Sequence, residues 1–313
     1  MGDSGVLRAG SSGWFAYRYL APELERAPPT QRNVAMRRVA LGAGGSAAVA
    51  IVALHSLAPM RGPGELRVTM LDVGQGDALL VETPGGGQVL VDAGPSGMLV
   101  ARELSEVLPH WDRRLDAVLV THPHQDHVAG MADVFARFDV ARAYDTGFER
   151  ESGVVAAYRE DAPARTTLRA GDTFEVEGVR FDVLWPPAEY TTDDWNNMSL
   201  VVRVEYGDVR VLLTGDLEGG PQRALLDAGT DIVAQVLKVP HQGSSTSDAG
   251  FLEAVGAGIA LLPVGEDNQY GHPHQETLEL LSDMALFRSD AHGRVTVATD
   301  GERIRVDVEH PTR

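Results

Sequence analysis

From Glu65 onward, short apolar runs alternate with stretches of helical spacing. Leu66–Leu71, Ala78–Glu82 and Gln88–Val91 are β-rich segments parted by glycine-containing turns, which predicts an antiparallel meander. Met98–Leu108 has helical spacing, Ala117–Val120 reads as a buried strand, and Gly130–Phe138 predicts a helix. Ser199–Tyr206 and Val209–Leu213 form a predicted hairpin around Gly207-Asp208. In its first strand Leu200, Val202, Val204 and Tyr206 share one face, and Arg203 and Glu205 share the other. Pro221–Asp227 is expected as a helix, Val236–Val239 as a strand, Phe251–Val255 as a helix, Ile259–Val264 as a strand and Gln275–Met284 as a helix. Arg294–Ala298 and Arg303–Val308, turning at Asp300-Gly301, predict a hairpin that closes a sheet. Two antiparallel sheets with helices interspersed predict an α/β four-layer αββα sandwich over residues 65–309.

The N-terminal region has a different pattern. No residue from Val39 to Met60 is charged, and about 20 residues span a bilayer core of about 30 Å. A transmembrane helix is therefore expected over residues 39–58. Arg32, Arg37 and Arg38 crowd its N-terminal flank, which predicts a cytosolic tail of residues 1–38 and a membrane-anchored large domain outside the cytoplasm. A secretory signal fits poorly, because a long segment precedes the apolar run and Pro59 follows the small-residue pattern Ser56-Leu57-Ala58.

Composition changes this picture in two respects. The chain has no cysteine, so disulfides and thiolate metal sites are excluded. Its net charge of −18 is uneven, with +3 in residues 1–60 and hence −21 in the remainder. Such a domain repels polyanions on average, which argues against broad nonspecific nucleic-acid binding. A nuclease that neutralises phosphate locally is still compatible with it.

The chemistry centres on Thr121-His122-Pro123-His124-Gln125-Asp126-His127, directly after the apolar run Ala117–Val120. A strand ending in a tight loop aims alternate side chains at one point, so His122 and His124 converge on one ion while Asp126 and His127 face a second. These donors suit zinc, manganese or iron. Asp216 ends the run Leu213-Thr214-Gly215. A carboxylate there is costly to bury unless paired or metal-bound, and bridging two cations would satisfy both of its oxygens. His241 likewise follows a strand. Asp92 is expected to anchor the histidine loop by hydrogen bonding, and Asp77 is either a turn cap or part of the site.

Five finer motifs run in order: LDVGQGDA at 71–78, NNMSLV at 196–201, LLTGD at 212–216, LKVPHQGS at 237–244 and YGHPH at 270–274. With the histidine loop they resemble the metallo-β-lactamase superfamily, and within it the extracytoplasmic metallo-β-lactamase-like domain of the ComEC family, the DNA-uptake channel of natural competence. The resemblance covers roughly Glu65 to Asp307. It implies a hydrolase with two divalent ions, zinc or manganese, one held by His122 and His124, the other by Asp126, His127 and His241, with Asp216 between them. Asp126 and Asp216 would orient the nucleophile, and His272 or His274 would protonate the leaving group.

Two departures stand out. Asn196-Asn197 occupies the place where superfamily hydrolases generally carry a further histidine, and His241-Gln242 stands where family members commonly read a histidine pair. Either His241 or His272 fills the last ligand position. The resemblance implies a phosphodiester substrate, single-stranded or incoming DNA, and a polytopic channel partner. The alternatives are a small-molecule metallohydrolase acting on a lactone, thioester or phosphoester, and a non-catalytic metal-binding partner of a membrane channel.

Overall fold

The computed structural model describes residues 64–148 and 152–311. The expected tail and membrane span, residues 1–38 and 39–58, lie outside the described residues. Among the described residues no helix is long and apolar enough to cross a membrane.

Two large sheets are found among the described residues. The first runs in the order Ile304–Val308, Val295–Thr299, Leu66–Met70, Leu79–Glu82, Gln88–Val91, Ala117–Leu119, Ala143–Asp145, Arg165–Thr167. Its first five strands pair antiparallel, and the last three join in parallel. The second runs Ala285–Arg288, Ile259–Leu262, Val236–Lys238, Val209–Leu213, Val201–Tyr206, Val179–Trp185, Thr173–Val176. Its first four strands are parallel and the rest antiparallel. The expectation of purely antiparallel sheets is thus corrected, since each sheet is mixed. The parallel strands follow from helical crossovers such as Gly97–Val107, Gly219–Asp227 and Ala249–Val255, which return the chain in the same direction.

Three apolar layers define the four-layer stack. Leu66, Val68, Met70, Val89 and Val91 of the first sheet meet Phe181, Val202, Val204, Val211 and Leu261 of the second, filling the space between sheets. On the outer face of the first sheet, Leu80, Leu90 and Val118 pack against Val100, Leu104, Met131 and Val134 of the helices. On the outer face of the second, Leu212, Leu237 and Ala260 pack against Phe251, Leu252 and Val255. Period-2 alternation sends Leu66, Val68 and Met70 to one layer, and Leu80 and Leu90 to another. The αββα arrangement is therefore as expected.

This topology positions the site. Strands Gln88–Val91 and Ala117–Leu119 of one sheet, and Val209–Leu213, Val236–Lys238 and Ile259–Leu262 of the other, each end in a polar loop. Those carboxyl ends lie together, where ligands of parallel α/β sheets gather.

Candidate metal centre

The histidine loop is fixed from beneath. Asp92 has φ 57°, and its carboxylate accepts from the Thr121 amide at 2.8 Å, the Thr121 hydroxyl at 2.7 Å and His127 Nδ1 at 2.8 Å. A ring so held donates its Nδ1–H to the carboxylate and presents Nε2 to the site, the usual arrangement behind a ligating histidine. Gly76 is needed for the close approach of the 71–77 turn. A Cβ there would lie 2.1 Å from the Asp126 carbonyl oxygen, at φ +128°.

Above this support the ligand-bearing atoms converge. His127 Nε2 lies 3.2 Å from Asp216 Oδ2 and 3.7 Å from Asp126 Oδ2. His122 Nε2 lies 3.1 Å from His124 Nδ1 and 4.0 Å from Asp216 Oδ2. His122, His127 and Asp216 are buried, and their donor atoms all fall within 4.8 Å of one another. His241 enters from the second sheet, its Nε2 3.8 Å from Asp216 Oδ2 and its Nδ1 3.2 Å from Glu218 Oε1. The other five residues expected as ligands are thus brought together with Asp216.

The electrostatics fit a cation. Burial, then the neighbouring His127, holds His122 well below its ordinary value, so its ring is neutral as a ligand must be. Burial opposes a charge on His127 too, yet Asp216, Asp126, Asp77 and Asp92 overcome it and raise that ring well above its usual value. Burial would likewise raise Asp216, but His127, Lys238 and His122 outweigh it and hold the carboxylate well below the usual range. A buried carboxylate cluster that draws a proton onto an imidazole is a site that demands positive charge. The donor set, imidazole and carboxylate without thiolate, suits a divalent ion. Asn196 carries a further oxygen beside the ligands. Its buried Oδ1 has no hydrogen-bond partner, and the residue lines the same cavity as His124 and Asp216.

That cavity has a volume of about 450 Å³ and is also lined by Asp126, His241, Gln242, Tyr270 and His272. Of the two residues expected as proton donors, His272 lines it and His274 does not; the two rings are 5.3 Å apart. Burial and the nearby His241 and His274 lower the His272 pKa. It therefore stands neutral at pH 7, which suits a hydrogen-bonding imidazole better than a charged acid.

Several contributors escaped sequence reasoning. Lys238 does not line the cavity. Its ammonium is buried against Asp77 and donates to the Gly215 carbonyl at 2.7 Å and to Asp216 Oδ1 at 3.4 Å. Burial pushes Asp77 up to about 7 against the pull of Lys238. Burial would lower Lys238, but Asp77 and Asp216 keep it above its ordinary value. The two shifts pull the pair in opposite senses; the ammonium faces two carboxylates, so it is Asp77 that loses charge below pH 7. Ser199 Oγ accepts from the Asp216 amide at 3.0 Å and lies 3.2 Å from His122 Nδ1. Gln242 places its amide nitrogen 3.0 and 3.1 Å from the two Asp216 oxygens. The only sequence signal for it was the departure from a histidine pair. Arg288 and Asp290 form an ion pair away from the site, with Nε to Oδ1 at 2.9 Å.

An αββα sandwich whose two sheets bring imidazoles and carboxylates together at their strand ends defines a metal-binding, generally hydrolytic class of protein. The chain belongs to the metallo-beta-lactamase superfamily, whose pattern it matches over residues 71–262. It is 31% identical to ComE operon protein 3 of Bacillus subtilis (strain 168), over 74% of this chain and 33% of that protein. It is 31% identical to Competence protein ComA of Neisseria gonorrhoeae, over 75% of this chain and 31% of that protein. The chain thus spans about a third of the length of these relatives. Among solved structures, the metallo-beta-lactamase fold protein YhfI from Bacillus subtilis superposes with a TM-score of 0.51 at 15% identity, covering 72% of this chain and 96% of that one. CmlA, a diiron beta-hydroxylase from Streptomyces venezuelae, superposes equally well, with a TM-score of 0.51 at 15% identity over 75% of this chain and 54% of that one. The fold alone therefore does not choose the chemistry.

Proposed function

We propose that this domain is a metal-dependent phosphodiesterase directed at DNA, single-stranded or incoming, in the manner its likeness to competence proteins implies. The observation that carries the reading is the convergence of His122, His127 and Asp216 below an open, polar cavity, in a chain 31% identical to two competence proteins. His122, His124 and Asp216 would hold a zinc or manganese ion, which would supply Lewis acidity and lower the pKa of water there. Asp126 and Asp216 orient the attacking water by accepting its hydrogens. Attack forms a new P–O bond as the P–O bond to the leaving group breaks, and the water's proton passes to the leaving oxygen. His272, neutral and lining the cavity, hydrogen-bonds that oxygen. The apolar segment 39–58 anchors the domain in the membrane with its catalytic part outside the cytoplasm, beside a polytopic channel partner.

The charge of −21 beyond residue 60 favours one second reading, a metallohydrolase for a small phosphoester, lactone or thioester. Metal-loaded full chain assayed on single-stranded DNA, a chromogenic phosphodiester and a lactone separates the two. The primary reading requires cleavage of DNA and the phosphodiester, lost in His124→Ala and in Asp216→Ala. Lactone hydrolysis alone would overturn it.

A further inference from the structure

Gln242 stands where a ligand of a second cation would stand. Its Nε2 is 3.0 Å from Asp216 Oδ2, 3.1 Å from Asp216 Oδ1 and 3.2 Å from His127 Nε2. His127 Nε2 and Asp216 Oδ2 are themselves 3.2 Å apart. These three atoms are spaced as neighbouring ligands are around one ion with bonds of about 2 Å. A carboxamide there has two possible roles. With its oxygen inward it would be a ligand, and with its nitrogen inward it offers hydrogens and no lone pair to an ion.

The hydrogen-bond chain behind it decides between them. The amide of Gly265 donates to Gln75 Oε1 at 3.0 Å. Gln75 Nε2 then donates to Gln242 Oε1 at 3.1 Å. Gln242 Nε2, the end of the relay, donates to the Asp216 carboxylate. Side-chain amides are ordinarily ambiguous, because oxygen and nitrogen are assigned from their neighbours. Here the first donor is a backbone N–H, which cannot be reversed, and the last acceptor is a carboxylate, which has no hydrogen to give. Turning Gln242 over sets donor against donor at Gln75 and oxygen against carboxylate at Asp216, and turning Gln75 over sets donor against donor at Gly265 and oxygen against oxygen at Gln242. The polarity is therefore fixed through two side chains.

The backbone agrees with this role. His241 and Gln242, at φ 48° and 45°, precede Gly243 at φ 78°, so three successive residues adopt the left-handed conformation. For residues with a Cβ this is strained, and such strain persists where the surroundings fix it. Gly265 carries the relay because its own approach is close. A Cβ on it would lie 2.8 Å from the Gln75 backbone nitrogen. Lys238, buried against Asp77 and 3.4 Å from Asp216 Oδ1, adds a fixed positive charge on the same carboxylate.

We propose that this chain holds one divalent ion, not two: Gln242, oriented by Gln75 and Gly265, turns an amide donor toward the second cation's position, where a ligand should stand. The ion stays with His122, His124 and Asp216, and Asn196 offers its unpartnered oxygen on that side. The inference rests on the metal-centre reading above, but it is tested by counting ions, not by hydrolysis.

The full chain is equilibrated with manganese, and bound metal is counted after gel filtration and by electron paramagnetic resonance. Wild type is expected to retain about one ion per chain, with a mononuclear spectrum. Gln242→His restores an imidazole, so a second equivalent and a spin-coupled manganese pair are expected. Gln75→Glu is the sharper test. Its carboxylate removes the donor that faces Gln242 Oε1, so the amide turns over, presents its oxygen, and tightens binding of a second ion at least tenfold. Two ions of comparable affinity in wild type, or no added ion in either variant, overturn the proposal. If Asp216→Ala retains metal as wild type does, the underlying site reading fails instead.

Discussion

Lys238 and Asp77 meet in a buried ion pair beneath the metal centre, each side chain 1% exposed, joining the turn after the first strand to the strand that precedes His241. Asp77 has a second oxygen, Oδ1, without a hydrogen-bond partner. Breaking such a pair by removing one member strands the other charge. Lys238→Met at pH 8 should lower unfolding stability by about 3–5 kcal/mol. Lys238→Met combined with Asp77→Leu should recover part of that loss. Urea denaturation of the two variants measures both, and equal stability of Lys238→Met and wild type would falsify the pairing.

The same carboxyl gives a pH dependence with a definite sign. Asp77 in the folded protein is pushed up to about 7, whereas in the unfolded chain a carboxyl titrates near 3.9. Between those values the folded state binds the extra proton. The contribution is fully present below about pH 4 and is lost as pH rises through about 7. Metal-free Asp77→Asn should therefore show a flatter stability profile than wild type from pH 4 to 7. The comparison is made by thermal melts across that range, and parallel profiles would refute it.

Asp92 serves the centre without facing the cavity. Removing its charge weakens the hold on His127 Nδ1 and on both Thr121 donors. Asp92→Asn should reduce metal affinity by about 10–100-fold, because the Thr121 donors it holds fix the strand end from which His122 is aimed. Isothermal titration with zinc or manganese tests it. Unchanged affinity would show that the loop keeps its shape without the carboxylate.

His272 should titrate below about 6.5, the value of an unperturbed imidazole. Because its folded value is depressed, its share of stability is present above about 6.5 and lost as pH falls through the folded value. Its C–H resonance followed by NMR, assigned through His272→Gln, gives the midpoint. A midpoint above 7 would restore it as a charged proton donor.

Gly76→Ala should damage the site through packing alone. The added methyl would meet the Asp126 carbonyl, and φ +128° is closed to alanine. Loss of metal binding with a lowered melting temperature is expected, and a wild-type melting curve would contradict the close approach.

Much of the site was legible because its residues end strands. His122, Asp216 and His241 each come three residues after a strand ends, with His124, Asp126 and His127 in the loop and short helix that follow His122, and a carboxyl-terminal strand end is a fixed platform for a side chain. Asp92 was legible as an anchor for the same reason. What escaped was the pairing across segments. Nothing local in Leu237-Lys238-Val239 says that the lysine turns inward to Asp77, more than 160 positions earlier in the chain. Gln242 was visible only as an unexpected letter, and its hydrogen bonds come from two other loops.

Residues 139–185 were hardest to read in the fold. Arg165–Thr167 is an exposed edge strand with no apolar alternation, and the helix Gly153–Asp161 buries only Val155 and Tyr158. Ala285–Arg288 likewise lacks a buried face, so its role at the edge of the second sheet left no mark. Strand direction was missed because a buried run of valine and leucine looks the same whether its neighbour runs with it or against it.

Donor atoms reach the centre from opposite halves of the sandwich, His122, His124 and His127 from one and Asp216 from the other. A bound ion therefore acts as a rivet between the two β layers as well as a reagent. Chelation should loosen their seam and let the halves breathe before the helices melt. Saturating metal at a thousandfold excess over Kd should tighten it by about 4 kcal/mol.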